Sequence, residues 1–207
     1  MTSNYEKQVY KARELFLNYS QQTMIDKFQI SHDHAYLYMK LLDGNYRISR
    51  TDGSVEQEKE EGFEPCIDYQ VVMALYDVLC CSAPHPVLSG RWCPLASLQT
   101  AGSPSEDRFT AECAAAFSGK VSALRAACES LGGMRQSVPA SADACYRIAL
   151  LPFFPVIFQF WEGDEEFAPR IMLLWDEKSL DFMHFETLYY VMGHFLERLK
   201  ALLSGEY

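Results

Sequence analysis

The chain has 207 residues, enough for one domain with its own core, and with 49% apolar and 14% aromatic residues it is not a disordered polymer. Eighteen Lys and Arg against 28 Asp and Glu leave a net charge of −10. With no basic stripe to neutralise phosphates, nucleic acid and anionic membrane surfaces are excluded as expected partners.

The N-terminus, MTSNYEKQVYKAREL, has no apolar run of the kind an export signal needs, and Pro152, Pro155 and Gln159 interrupt the longest apolar stretch. Seven cysteines without a secreted-scaffold spacing then predict reduced thiols in a cytoplasm. Cys66, Cys80, Cys113 and Cys128 fall on apolar helix faces, where packing explains them.

In chain order, Ser3 and Glu6 fit a capping box, and Tyr5, Val9, Ala12, Phe16 and Tyr19 behind it predict one buried helix face. Met24, Ile25 and Phe28 suggest a second short helix before Ser31. His32-Asp33-His34 reads as a turn into a strand rather than as a metal pair, since no further histidine or cysteine spacing completes a set. Residues 35–50 then alternate, with Asp43-Gly44 as the tight turn of a β-hairpin, and Thr51-Asp52-Gly53 turns the chain towards a short third strand. The acidic run Glu56 to Glu64 reads as a surface loop.

Pro65 is predicted to open the next helix, with Ile67, Val71, Ala74, Leu75, Val78 and Leu79 as its stripe and Pro84-His85-Pro86 as its stop. Residues 87–104 form an irregular connection carrying Arg91-Trp92-Cys93. Phe109, Cys113, Phe117, Val121, Leu124, Cys128 and Leu131 continue at helical spacing, with a break at Ser118-Gly119 and a stop at Gly132-Gly133. Apolar, β-branched and aromatic runs at 145–151, 155–161 and 170–176 predict central strands, and Phe182 to Leu202 carry the stripe of a final helix. Together these predict a single α+β domain over 1–207, with an N-terminal helix and hairpin at 3–50, helices at 65–131, and strands and a final helix at 143–203. Its mostly antiparallel sheet would hold about five strands.

The densest chemistry is the acidic turn, with Glu162, Asp164, Glu165 and Glu166 between Trp161 and Phe167. Such a turn is a solvated hairpin tip, a ligand or cation site, or an acid–base pair with separated pKa values. Arg91-Trp92 in the long connection is either a plug over the core or one wall of a pocket. The sharper expectation is a cleft with Asp164 or Glu165 on one side and Arg91 or Trp92 on the other. Cys80-Cys81 does not chelate by itself, and His184 and His194, ten residues apart on one helix, point to different faces. No dinucleotide-binding glycine pattern, Walker loop or nucleophile elbow is present, and no motif names a cofactor or a metal.

One block is specific. Leu151-Pro152, Pro155, Phe160-Trp161-Glu162-Gly163-Asp164-Glu165-Glu166-Phe167, Pro169, Leu174-Trp175-Asp176 and Glu186 resemble the bacterial and archaeal family of domain of unknown function 3786. Tyr46-Arg47-Ile48, Ser89-Gly90-Arg91-Trp92 and Leu131-Gly132-Gly133 follow in the family's order, so the resemblance covers the whole chain. It implies a protein of an anaerobe with no assigned activity. The iron–sulfur segment that some members add is missing here.

The leading expectation is a cytoplasmic protein that binds a small ligand or cofactor near the 87–104 loop and the 161–167 turn, through Arg91, Trp92, Trp161, Asp164 and Glu165. The alternatives are an enzyme using Asp164 and Glu165 as acid–base or cation-binding residues, and an acidic module that meets a basic protein.

Overall fold

The computed structural model describes residues 4–98, 107–137 and 141–205. It is α+β, as the residue periodicities predict, with every strand pairing antiparallel. The strands form two sheets of five, where one sheet of about five was expected. The chain divides into two compact units, Met1–Val87 with Lys178–Met192, and Leu88–Glu177 with Gly193–Tyr207.

The first unit opens with helices α1 (Asn4–Asn18) and α2 (Gln21–Phe28). Ser3 of the expected capping box lies outside the described residues. Of the expected α1 stripe, Phe16 is fully buried, while Tyr5 and Tyr19 are exposed. Strands β1 (Ser31–His32), β2 (Tyr36–Leu41), β3 (Gly44–Ser49), β4 (Val55–Lys59) and β5 (Gly62–Pro65) then pair in sequence order. One face of this meander is apolar: Leu37 faces Ile48 and Met39 faces Tyr46 across β2 and β3, all four buried. The hairpin turn is Leu42-Asp43, one residue earlier than expected, because Leu41 pairs with Gly44. Leu42 takes a left-handed φ of 53°, a cost that burial of its side chain offsets.

The acidic run at 56–64 is the β4–β5 hairpin and not a loop. Its charges are held by Arg47, which bonds Glu56 at 2.5 Å and lies 4.1 Å and 4.2 Å from the ring centres of Tyr36 and Phe63. Helix α3 (Tyr69–Cys81) begins later than Pro65, because Asp68 is its cap and accepts from Gln70 N–H at 2.9 Å. Ile67 therefore falls outside the helix and is exposed, whereas Val71, Leu75 and Val78 are buried as expected.

The second unit contains β6 (Trp92–Pro94), α4 (Asp107–Phe117), α5 (Val121–Ser130), β7 (Met134–Arg135), β8 (Ala144–Leu151), β9 (Phe154–Trp161) and β10 (Arg170–Asp176). The strand order is β6-β10-β9-β8-β7, so the three apolar runs are central as predicted. Phe154, Val156, Phe158 and Phe160 line one face of β9, and all are fully buried. Phe160 meets Phe117 of α4 edge-on. Helix α6 (Phe185–Ser204) brings Phe195 edge-on to Phe158 at 5.6 Å. α4 and α5 part at Ser118-Gly119, and α5 stops at Leu131-Gly132-Gly133, where Gly133 N–H donates to Cys128 C=O at 2.8 Å. A Cβ on Gly133 would sit 2.5 Å from that same carbonyl oxygen, so only glycine closes the helix this way. None of the seven cysteines is in a disulfide; Cys113, Cys128 and Cys145 are buried, while Cys66 and Cys80, expected inside, are half-buried.

Two tests follow from this packing. Phe158→Ala should lower the unfolding free energy by about 3–5 kcal/mol through lost transfer energy and a cavity. A loss under about 1 kcal/mol in urea denaturation would contradict the central place of β9. Asp33 accepts from Tyr38 O–H at 2.8 Å and from Tyr36 and Ala35 N–H at 2.7 Å. These bonds, that from Tyr38 first, pull its carboxyl down to about 2 from the ordinary 3.8. A depressed carboxyl stabilises the fold above its ordinary value and loses that effect as pH falls through the folded one. The urea midpoints of the wild type and Asp33→Asn should therefore differ at neutral pH and converge as pH approaches 2. A gap independent of pH would contradict this.

Candidate functional site

On α3, residues 69, 73, 76, 77 and 81 recur at helical spacing on the side away from Val71 and Leu75. In the first unit this side faces a cleft of about 380 Å³. Helix α1 supplies Gln8, Lys11, Ala12 and Leu15, α3 supplies Tyr69, Met73 and Tyr76, and the start of α6 supplies Tyr190. Tyr69 meets Tyr190 edge-on at 5.7 Å and donates its hydroxyl hydrogen to Gln8 Oε1. Tyr190 donates to Glu186 Oε1 at 2.6 Å; burial first, and this bond next, push its phenol well up. Burial likewise pushes Tyr76 up to about 12. Their rings act as apolar walls with fixed hydroxyls.

The polar end of the cleft is built on Asp77. Helix α6 begins after His184, which has no oxygen with which to cap the helix's first amides. Asp77, on α3, instead anchors the residue before the helix and a hydroxyl of its first turn. Its Oδ2 accepts from His184 N–H at 2.8 Å and from Thr187 Oγ1–H at 2.6 Å, and its Oδ1 lies 2.5 Å from His184 Nδ1. The carboxylate thus sits at the positive end of α6, where a negative charge is favoured. Its side chain is only 12% exposed, against 69% for His184. Cys81 lies one helical turn beyond Asp77, on the same face. The sulfur of Cys81, a carboxylate oxygen of Asp77 and a ring nitrogen of His184 all lie within 4.8 Å of one another.

Cys81 is not an activated nucleophile. Partial desolvation of the thiol, the Asp77 charge and a hydrogen bond to Asp77 push it up to about 12, partly opposed by Lys27, although the residue as a whole is exposed. Reactive cysteines need the reverse, a neighbouring cation or helix N-terminus that favours the thiolate.

The residues expected at the site lie in the second unit, and the geometry separates them. Trp92 pairs with Asp176 at one end of β10, and Trp161 pairs with Arg170 at the other. Six residue steps along β10, roughly 20 Å, separate them. The expected cleft with Arg91 or Trp92 facing Asp164 or Glu165 is not formed. Arg91 is exposed and bonds Glu177 at 2.6 Å. Trp92 is half-buried on β6. The Trp161 ring lies under the Arg170 guanidinium. Residues 99–106 of the 87–104 connection lie outside the described residues.

The acidic turn is organised by its own backbone. Asp164 accepts from Phe167 and Glu166 N–H, each at 2.8 Å. A Cβ on Gly163 would meet Pro169 Cδ at 2.7 Å, so the turn closes only with glycine there. Glu162 accepts from Ser118 Oγ–H at 2.5 Å and Gly119 N–H at 2.8 Å. The amides of Phe167 and Glu166 hold Asp164 below its ordinary value, and Ser118 does so for Glu162. Phe167, at 70% exposed, excludes no water, and Glu165 is exposed beside it.

Sequence reasoning passed over Asp77, Cys81 and His184. One local signal existed, the i, i+4 spacing of Asp77 and Cys81 on a helix whose stripe lies elsewhere. The third member comes from 103 residues beyond Cys81, a pairing that no local pattern announces.

A sequence profile of the family described as domain of unknown function 3786 matches residues 21–198. No curated protein and no solved structure matches the chain. The match covers the greater part of the sequence and both compact units. The chain therefore belongs to the family of domain of unknown function 3786.

Proposed function

We propose that this chain is a cytoplasmic binding protein, and that it takes a small molecule with an apolar ring or chain and one polar end into the cleft between α1, α3 and the start of α6. The observation that carries this reading is the cleft itself. It has about 380 Å³ of space, within the ordinary range of small-molecule pockets, with Tyr69, Met73, Tyr76 and Tyr190 on its walls and one polar cluster at Asp77 and His184. The net charge of −10 and the Glu186 and Asp77 carboxylates favour a neutral or cationic ligand over an anion. An enzyme built on Asp164 and Glu165 draws less support, because Asp164 is engaged by its own turn and both residues are exposed.

Native mass spectrometry of the purified full chain should detect a non-covalent small molecule, or a thermal-shift screen of planar aromatic amines and alcohols should identify one. A ligand at about 100 times its Kd stabilises the folded state by about 2.7 kcal/mol. Met73→Trp fills the cleft, and should abolish that shift while leaving the unliganded melting temperature within a few degrees. If no bound mass and no thermal shift is found, or if the shift survives in Met73→Trp, this reading is wrong.

A further inference from the structure

We propose that Asp77, Cys81 and His184 form a three-ligand site for a divalent cation of borderline softness, Zn²⁺ in the first instance. One oxygen, one nitrogen and one sulfur donor do not suit Mg²⁺ or Ca²⁺, which take oxygen ligands. The same set is a normal one for Zn²⁺, whose bonds to such donors run from about 2.0 to 2.3 Å. Donors held within 4.8 Å of one another come within about 1.5 Å of the roughly 3.3–3.6 Å edges of that coordination shell.

The surroundings leave the right atoms available. Oδ2 of Asp77 is committed to His184 N–H and Thr187 Oγ1–H, which fixes the carboxylate and directs Oδ1 at the ring of His184. Without metal, the neutral ring donates from Nδ1 to Oδ1 at 2.5 Å. A cation displaces that hydrogen, which the ring regains on Nε2 by exchange with water, so Nδ1 becomes the ligand and the ring stays neutral. The two atoms must then open by roughly 1 Å to coordinate one tetrahedral ion. His184 has the freedom to do this, since its side chain is 69% exposed while its backbone is anchored to Asp77. Cys81 binds as the thiolate and releases its proton to water, so the cation, Asp77 and Cys81 together form a neutral centre. No electron transfer is involved.

All three residues line the cleft. A three-ligand zinc site keeps a fourth position for water or for a donor atom of a bound molecule, as catalytic zinc does. The metal site does not depend on the small-molecule reading, because Zn²⁺ alone is the probe.

The test uses the purified full chain, stripped with chelator and titrated with Co²⁺ and then Zn²⁺. One Co²⁺ per chain should bind, with a thiolate-to-cobalt charge-transfer band and the strong visible bands of a four-coordinate ion, and Zn²⁺ should displace it. Cys81→Ser, an exposed position that leaves the α6 anchor intact, should remove the charge-transfer band. It should also weaken Zn²⁺ by at least about 100-fold, the upper end of what loss of an outer-shell contact does. His184→Ala should weaken Zn²⁺ similarly, whereas Cys80→Ser should leave both band and affinity unchanged. Met73→Trp should also keep the cobalt band, so failure of the metal site and failure of the small-molecule cleft are read separately. The proposal is overturned if Co²⁺ binds without a sulfur band, if the wild type and Cys81→Ser bind equally, if Cys80→Ser removes the band, or if no stoichiometric binding occurs.

Discussion

The first unit depends on one carboxylate. Helix α6 starts after His184, and Asp77, 107 residues earlier in the chain, holds the N–H and ring of that residue and the hydroxyl of Thr187 in the first turn. Because Asp77 is itself on α3, this anchor ties two helices together at a fixed register. That register sets Tyr190 against Tyr69 and closes one side of the cleft. An acceptor local to α6 would hold His184 and Thr187 but would not position α3. The anchor in trans therefore links helix stability to cleft geometry, and places a carboxylate oxygen, an imidazole and a thiol at one end of it.

The second unit shows what the family's recognisable motifs do. Ser89-Gly90-Arg91-Trp92 and Leu174-Trp175-Asp176 are far apart in sequence and meet in space. Asp176, fully buried, accepts from Ser89 N–H and Oγ–H at 3.0 Å and from Gly90 N–H at 2.7 Å. A buried carboxylate is tolerated only with such a complement of donors. Arg91 adds its bond to Glu177, and β6 pairs along β10. The acidic block closes a turn through Asp164 and Gly163, and Leu131-Gly132-Gly133 stops α5. These motifs build corners of the fold. The residues with the best chemistry, Asp77, Cys81 and His184, lie within the family match and outside every motif that made the family recognisable.

Periodicity made the core legible where burial is strong. Val71, Leu75, Ile148, Val156, Phe158, Leu173, Leu188 and Phe195, each on a stripe of helical or strand period, are all at most 1% exposed. The same signal failed where polar residues do the work. The β4–β5 hairpin has almost no apolar alternation, and is held by Arg47 between Tyr36 and Phe63, a contact among three strands that no local window contains. The acidic turn drew attention as a dense cluster of charge, yet two of its four carboxylates, Asp164 and Glu162, are bound by the amides of the turn and by the α4–α5 connection. The candidate site was hidden for a different reason. Its members come from two helices whose pairing is long-range, and His184 seemed an isolated residue until the fold placed Asp77 beneath it.

The central claim is that the chemistry of this protein resides in the cleft at Asp77, Cys81 and His184, and not at the acidic turn. Backbone-amide and histidine-ring NMR spectra of the full chain, recorded before and after one equivalent of Zn²⁺, test it most directly. Large shifts are expected at Asp77, Cys81, His184 and Thr187, smaller ones along the cleft at Tyr69 and Tyr190, and none at Trp161 to Phe167. Shifts concentrated at Asp164 and Glu165, with His184 unmoved, would contradict it.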